Sequence, residues 1–173
     1  MQREIAAEEE DVAAIEASST RCVCGWHRRT CLGGCDTRYG AVNLLDHAHP
    51  ERIWDSRSAA ASLRLFFGRM EGEPLVGVAL QHAVCASYYQ AGCCCVYTPS
   101  VTATLSVRVR AHGQILAEWS GAYVDEAWTT LLWDMPMRVH CLELELSTTV
   151  GFAVVALRDV RPLRTTKGSK LQL

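Results

Sequence analysis

Arg138-Val139-His140-Cys141-Leu142-Glu143-Leu144-Glu145-Leu146 decides how this chain is read. Its period is two: Leu142, Leu144 and Leu146 fall on one side of an extended strand, Cys141, Glu143 and Glu145 on the other. One face is buried and one is wet, the mark of an antiparallel sheet, because parallel strands are covered on both faces. Upstream, Leu63, Leu65 and Phe67 alternate within Ser62–Phe67, and Leu105–Val109 alternates in the same way. Leu75–Leu80 and Ile115–Trp119 read as further strands, with turn signals at Glu71-Gly72-Glu73-Pro74 and His112-Gly113. Past the N-terminal region no long stretch keeps a 3.6-residue apolar period, which argues against βαβ units. The expectation is an all-β, two-sheet β-sandwich or jelly roll.

Composition sets the class. No Pro/Gly/Ser-rich linker divides the 173 residues, so one domain with tails is expected. Hydrophobic residues at 49% and charged ones at 21% fit neither a disordered nor a membrane-spanning chain. A net charge of −2 gives no basic surface for nucleic acid. Met1–Ser18 is acidic, with Glu4, Glu8, Glu9, Glu10, Asp11 and Glu16, and has no apolar core of a signal peptide; an intracellular location is expected. Ile5, Val12 and Ile15 sit at loosely helical spacing, so residues 1–21 read as a flexible acidic extension carrying at most a short helix. The domain is placed at 22–163 and a basic tail at 164–173. Arg158, Arg161, Arg164, Lys167 and Lys170 read as a solvated basic run.

Nine cysteines in a reducing compartment read mostly as free thiols. Cys22, Cys24, Cys31 and Cys35, with His27 nearby, are weak zinc candidates, because C-x-C-x6-C-x3-C lacks the paired C-x2-C knuckles of common sites. Cys93-Cys94-Cys95 reads as small half-buried residues beside a turn. Asp46 is expected to fold its carboxylate onto its own turn, with His47, His49 and Glu51 in a solvated polar loop. No Ser/His/Asp order, nucleotide-binding loop or zinc-protease helix is present, so no enzyme activity, metal or other cofactor is expected.

Four stretches carry a resemblance to a known family. Tyr39-Gly40-Ala41-Val42-Asn43-Leu44-Leu45-Asp46 precedes Arg52-Ile53-Trp54-Asp55-Ser56. Leu63–Phe67 follows, then Tyr97-Thr98-Pro99-Ser100 leading to Leu105-Ser106-Val107-Arg108-Val109. The closing segments Trp128–Trp133, Met137–Leu146 and Ala156–Val160 come in matching order. Over roughly residues 30 to 163 the chain resembles the DOC domain, a galactose-binding-like (discoidin-type) jelly roll of the anaphase-promoting complex and some other ubiquitin ligases. The resemblance implies a non-catalytic substrate-recognition or processivity subunit, in nucleus and cytoplasm. It would help to form a degron-binding pocket with other subunits of the complex, a co-activator and a degron-bearing substrate, with no nucleic acid or membrane partner. By the resemblance, Asp55, Ser56, Arg57, Tyr88, Tyr89, Tyr97, Thr98, Pro99, Ser100, Ser147, Thr148 and Thr149 converge in loops at one end of the sandwich. Trp54 reads as core. The short Ser147–Phe152 loop is similar to that of the jelly-roll subunit of intraflagellar transport complex B, the alternative reading. A further alternative is a carbohydrate- or lipid-binding discoidin-like module.

Overall fold

The computed structural model describes residues 12–18, 40–46, 48–49, 52–56, 58–68, 74–86, 103–149 and 153–165. The strands are β1 Val12–Ala17, β2 Trp54–Asp55, β3 Ala60–Phe67, β4 Leu75–His82, β5 Cys85–Ala86 and β6 Ala103–Ala111. They continue with β7 Gln114–Tyr123, β8 Trp128–Met137, β9 Cys141–Thr148, β10 Ala153–Val154 and β11 Ala156–Arg164. A 3-10 turn covers Ala41–Leu45. One sheet runs β1-β3-β9-β6-β7, the facing sheet β2-β11-β4-β8, and β10 pairs with β5. Every pairing is antiparallel.

The alternation read from the sequence is the alternation of burial. Leu142, Leu144 and Leu146 of β9 point inward beside Leu63 and Leu65 of β3 and Leu105, Val107 and Val109 of β6. Val78 and Leu80 of β4, Leu131 and Trp133 of β8, and Leu157 and Val160 of β11 close the core from the other sheet. Burial of these side chains is the main force holding the layers together. His112 and Gly113, both at positive φ (50° and 76°), make the two-residue hairpin between β6 and β7. Pro162 sits mid-strand in β11, which is tolerated because β2 borders β11 only at Ala156 and Leu157. Gly77 is obligatory: a Cβ there would lie 2.6 Å from the Leu131 carbonyl oxygen.

Two expectations are corrected. Val12–Ala17 is a strand at the edge of the five-stranded sheet, not part of a flexible or helical extension. A register shift between Val12 and Ala14 brings Val12 onto the face of Ile15 and Ala17, so the helix-like spacing arises within a strand. The arginines of the basic run are not a solvated tail. Arg158 and Arg161 are ion-paired within β11 and its neighbours, and Arg164, the last residue of β11, is buried with its guanidinium 5.8 Å from the Phe67 ring centroid. Lys167 and Lys170 lie outside the described residues.

Candidate functional site

Strand direction gathers several connections at one end of the sandwich. β2, β4, β7 and β9 finish there, and β3, β6, β8 and β11 begin there. Residues 55–56, 58–60, 123–128, 148–149 and 153–156 therefore meet, and the chain both leaves at Ala86 and re-enters at Ala103 on this side. Backbone bonds knit the segments together. Thr148 N–H donates to the Ala59 carbonyl (2.8 Å), Val155 N–H to Ser58 (2.8 Å), Ser56 N–H to Val155 (2.9 Å) and Thr149 N–H to Thr104 (3.3 Å).

Asp55 and Ser56 lie against Ala156 and Val155, whereas Ser147 and Thr148 lie against Ala60 and Ala59 at the same end. Their roles separate, however. Asp55 and Ser56 are each only 1% exposed, because β2 is pinned against β11. The Ser56 hydroxyl closes a local turn, donating to the Ser58 carbonyl (3.0 Å) and accepting from its N–H (3.1 Å). Direct ligand contact by these two side chains is thus corrected to a scaffolding role. Ser147 and Thr149 remain exposed. Arg57, Tyr88, Tyr89 and Tyr97–Ser100 lie outside the described residues, as do Cys22, Cys24, Cys31 and Cys35. No group of metal-ligating side chains occurs among the described residues. At Asp46, His49 Nδ1 lies 2.7 Å and Arg52 Nη1 3.1 Å from the carboxylate; the His49 hydrogen bond first, with the Arg52 charge and the Ala48 backbone, holds that carboxyl below its ordinary range.

The remainder of this end is built from residues that no local pattern marks. Asp125, in the β7–β8 turn, receives Arg158 Nη2 on both carboxylate oxygens (3.2 and 3.1 Å) and the Val84 N–H (3.0 Å). This clamp joins two connections to strand β11 and is only partly exposed, so charge-assisted bonding counts for more here than on an open surface. Next to it, Glu126 has a φ of 64° and an outward side chain that is 72% exposed. Its N–H donates to the His82 carbonyl (3.1 Å), and Gln81 Nε2 donates to its own carbonyl (3.3 Å). Beneath the turn, the buried Tyr123 hydroxyl donates toward the carbonyls of Ala83 (2.6 Å) and Ala156 (2.8 Å) and accepts the Ala156 N–H (2.9 Å). His82, 1% exposed, bonds the Thr129 hydroxyl through Nε2 (2.9 Å) and packs against Trp119 and Tyr123. Burial pushes its pKa down, opposed by the Val124 backbone and Asp125.

On the outer face of the five-stranded sheet, an open groove of about 750 Å³ leads toward the same end. Ser147, Ser106 and Ser120 sit side by side across β9, β6 and β7, with Ser106 and Ser120 hydroxyls 3.0 Å apart. The next row carries Glu145, Arg108 and Glu118; Glu118 first, then Glu145, raises the pKa of Arg108 further. These are exposed pairs that water and salt screen. Arg108→Gln is accordingly expected to leave the melting temperature unchanged within error in a thermal unfolding scan.

Solved structures share this architecture. A family 32 carbohydrate-binding module from Clostridium perfringens in complex with GalNAc-β-1,3-galactose aligns at a TM-score of 0.55 and 13% identity, over 87% of this chain and 94% of that one. The family 32 module of C. perfringens NanJ in complex with galactose aligns at 0.54 and 11%, over 86% and 91%. A pectin-binding carbohydrate-binding module aligns at 0.54 and 14%, over 90% and 91%. No protein-family model and no curated protein matches the chain, so the DOC likeness rests on the motifs quoted above. At such identities the likeness speaks for the fold: the chain is an antiparallel two-sheet jelly roll of the galactose-binding, discoidin-like type.

Proposed function

We propose that this chain is a non-catalytic carbohydrate-recognition module that holds an uncharged glycan at the loop end of the sandwich. The observation that carries the reading is the convergence, at one end of a galactose-binding-like fold, of connections that are rich in hydroxyls. Ser147 and Thr149 offer exposed hydroxyls, and Glu126 an exposed acceptor. Residues 87–102, entering and leaving at this end, contain Tyr88, Tyr89, Tyr97, Thr98 and Ser100 and no charged residue. Such a set suits a sugar, whose hydroxyls need planar and hydroxyl partners and whose C–H face packs on aromatic rings. Binding of galactose and GalNAc-β-1,3-galactose by proteins of the same fold supports this class of ligand. Charge then selects within it. Asp55 is buried, and Arg158 is shared between two carboxylates, Asp125 (3.1 Å) and the exposed Glu126 (3.8 Å), so the cluster keeps a net negative charge that an acidic sugar would meet.

A glycan array tests the reading. Neutral galactose-terminated glycans are expected to bind, and their sialylated counterparts to bind roughly tenfold more weakly, the equivalent of about 1.4 kcal/mol. Absence of binding to every glycan would remove the proposal. A second reading, a ubiquitin-ligase recognition subunit acting with a co-activator on a degron, draws on Tyr97-Thr98-Pro99-Ser100 preceding the strand that becomes β6. Affinity purification from dividing cells that recovers ligase scaffold subunits, together with a blank array, would favour that reading.

A further inference from the structure

His82 lies at the seam between the two sheets, directly under the connection that carries Asp125 and Glu126. Its backbone fastens that connection from both sides: His82 N–H donates to the Ala127 carbonyl (2.9 Å), and its carbonyl accepts the Glu126 N–H (3.1 Å). Its ring is held on Nε2 by Thr129 of β8, while Nδ1 is buried with no hydrogen-bond partner. Trp119 and Tyr123 of β7 flank the ring at 5.8 and 5.5 Å between centroids. Leu157 is its register partner on β11.

We propose that His82 is a pH-sensitive latch for this end of the sandwich, whose ring protonation releases the Val124–Ala127 turn. A neutral imidazole satisfies the site with one bond to Thr129. An imidazolium carries a second N–H that makes no hydrogen bond in the closed turn; the Val124 backbone favours it, but burying the charge costs more than that backbone returns. Among the described residues, the ionisable groups facing the ring are the Asp125 carboxylate, from the turn, and the Tyr123 phenol, from β7. Asp125 favours protonation, yet it is already bound to Arg158 and Val84, so burial dominates. The least costly relief is local. Glu126 sits in the left-handed region that a non-glycine residue adopts only under constraint. Opening there relaxes Glu126 and hydrates Nδ1, at the cost of the bonds that His82, Gln81, Val84 and Arg158 make to the turn. The sign follows from linkage: a ring whose folded pKa is depressed binds protons better once released, so the closed turn is fully stable above about pH 6.5 and loses stability as pH falls through the folded value. If the loop end holds a glycan, as proposed above, the same step weakens ligand binding in acidic surroundings.

Amide hydrogen exchange by NMR on the full chain tests the latch without any ligand, so its outcome is independent of the glycan reading. Between pH 7.5 and 5, after correction for intrinsic exchange rates, protection at Val84, Glu126 and Ala127 is expected to fall roughly tenfold for each unit by which the His82 pKa is depressed. Protection in the distant β6–β7 hairpin should not change. In His82→Gln the turn should lose this pH dependence. Unchanged protection in the wild-type turn, or a His82 ring that titrates at or above the ordinary imidazole value, would overturn the proposal. The ring titration is read on the wild-type protein and decides the matter even if the variant does not fold.

Discussion

Replacing Trp54 with alanine lowers the stability of the domain by about 3–5 kcal/mol, the usual cost of removing a large buried aromatic side chain. Trp54 is 0% exposed and forms half of the two-residue strand β2, whose register partner is Leu157. Its indole packs in the cluster that also contains Leu44, Leu63, Val155 and Leu157, side chains drawn from both sheets and from the 3-10 turn. A cavity there cannot close by local collapse, because a central strand on one side and the turn on the other hold it open. The loss is a large part of the roughly 5–15 kcal/mol that stabilises a typical domain. Urea denaturation followed by fluorescence of the remaining tryptophans should show a much lower midpoint with the slope retained. A shift worth less than about 1 kcal/mol would place Trp54 outside the core.

Tyr123→Phe has the second largest effect, about 1–3 kcal/mol, although it removes one oxygen atom. The ring can stay where it is. The Ala156 N–H donates to that hydroxyl and the Ala83 carbonyl accepts from it, both buried where water does not replace it, while the Ala156 carbonyl keeps the Ala83 N–H (3.2 Å). The damage is confined to the origin of β11 and the end of β4, the frame of the loop end. The variant is therefore expected to exchange the Ala156 amide faster while the β3–β9 ladder keeps its protection. Its glycan affinity should fall with it, since Ser56 and Ser58 are anchored through Val155. Uniform loss of protection across both sheets would instead show that the hydroxyl supports the whole fold.

What was legible in the sequence was whatever a strand announces locally. The Leu142/Leu144/Leu146 alternation gave both the direction of the β9 face and the antiparallel class, and His112-Gly113 marked its hairpin. Val12–Ala17 was illegible because a bulge replaced the period of two with a spacing of three. Arg158 and Asp125, 33 residues apart, form their clamp only once β7 and β11 are folded, and nothing at either position signals the other. His82 reads as an ordinary member of a strand until Trp119, Tyr123 and Thr129 are placed around it. For the candidate site, a shared loop end was expected from the family resemblance alone; no local pattern at Asp55–Ser56 or Ser147–Thr149 announces it. The buried state of Asp55 and Ser56 was not legible, since it depends on the pairing of β2 with β11.

The central claim, a loop end that recognises uncharged glycans, is tested most directly by NMR titration of the isotope-labelled chain with GalNAc-β-1,3-galactose, with digalacturonate as the acidic counterpart. The account predicts saturable shifts at Ser58, Val84, Asp125, Glu126, Ser147 and Thr149 with the neutral disaccharide. Weaker shifts are expected with the acidic one, and none at His112, Gly113 or Val139 at the far end. Shifts at the far end alone, stronger binding of digalacturonate, or no shifts with either sugar would contradict it.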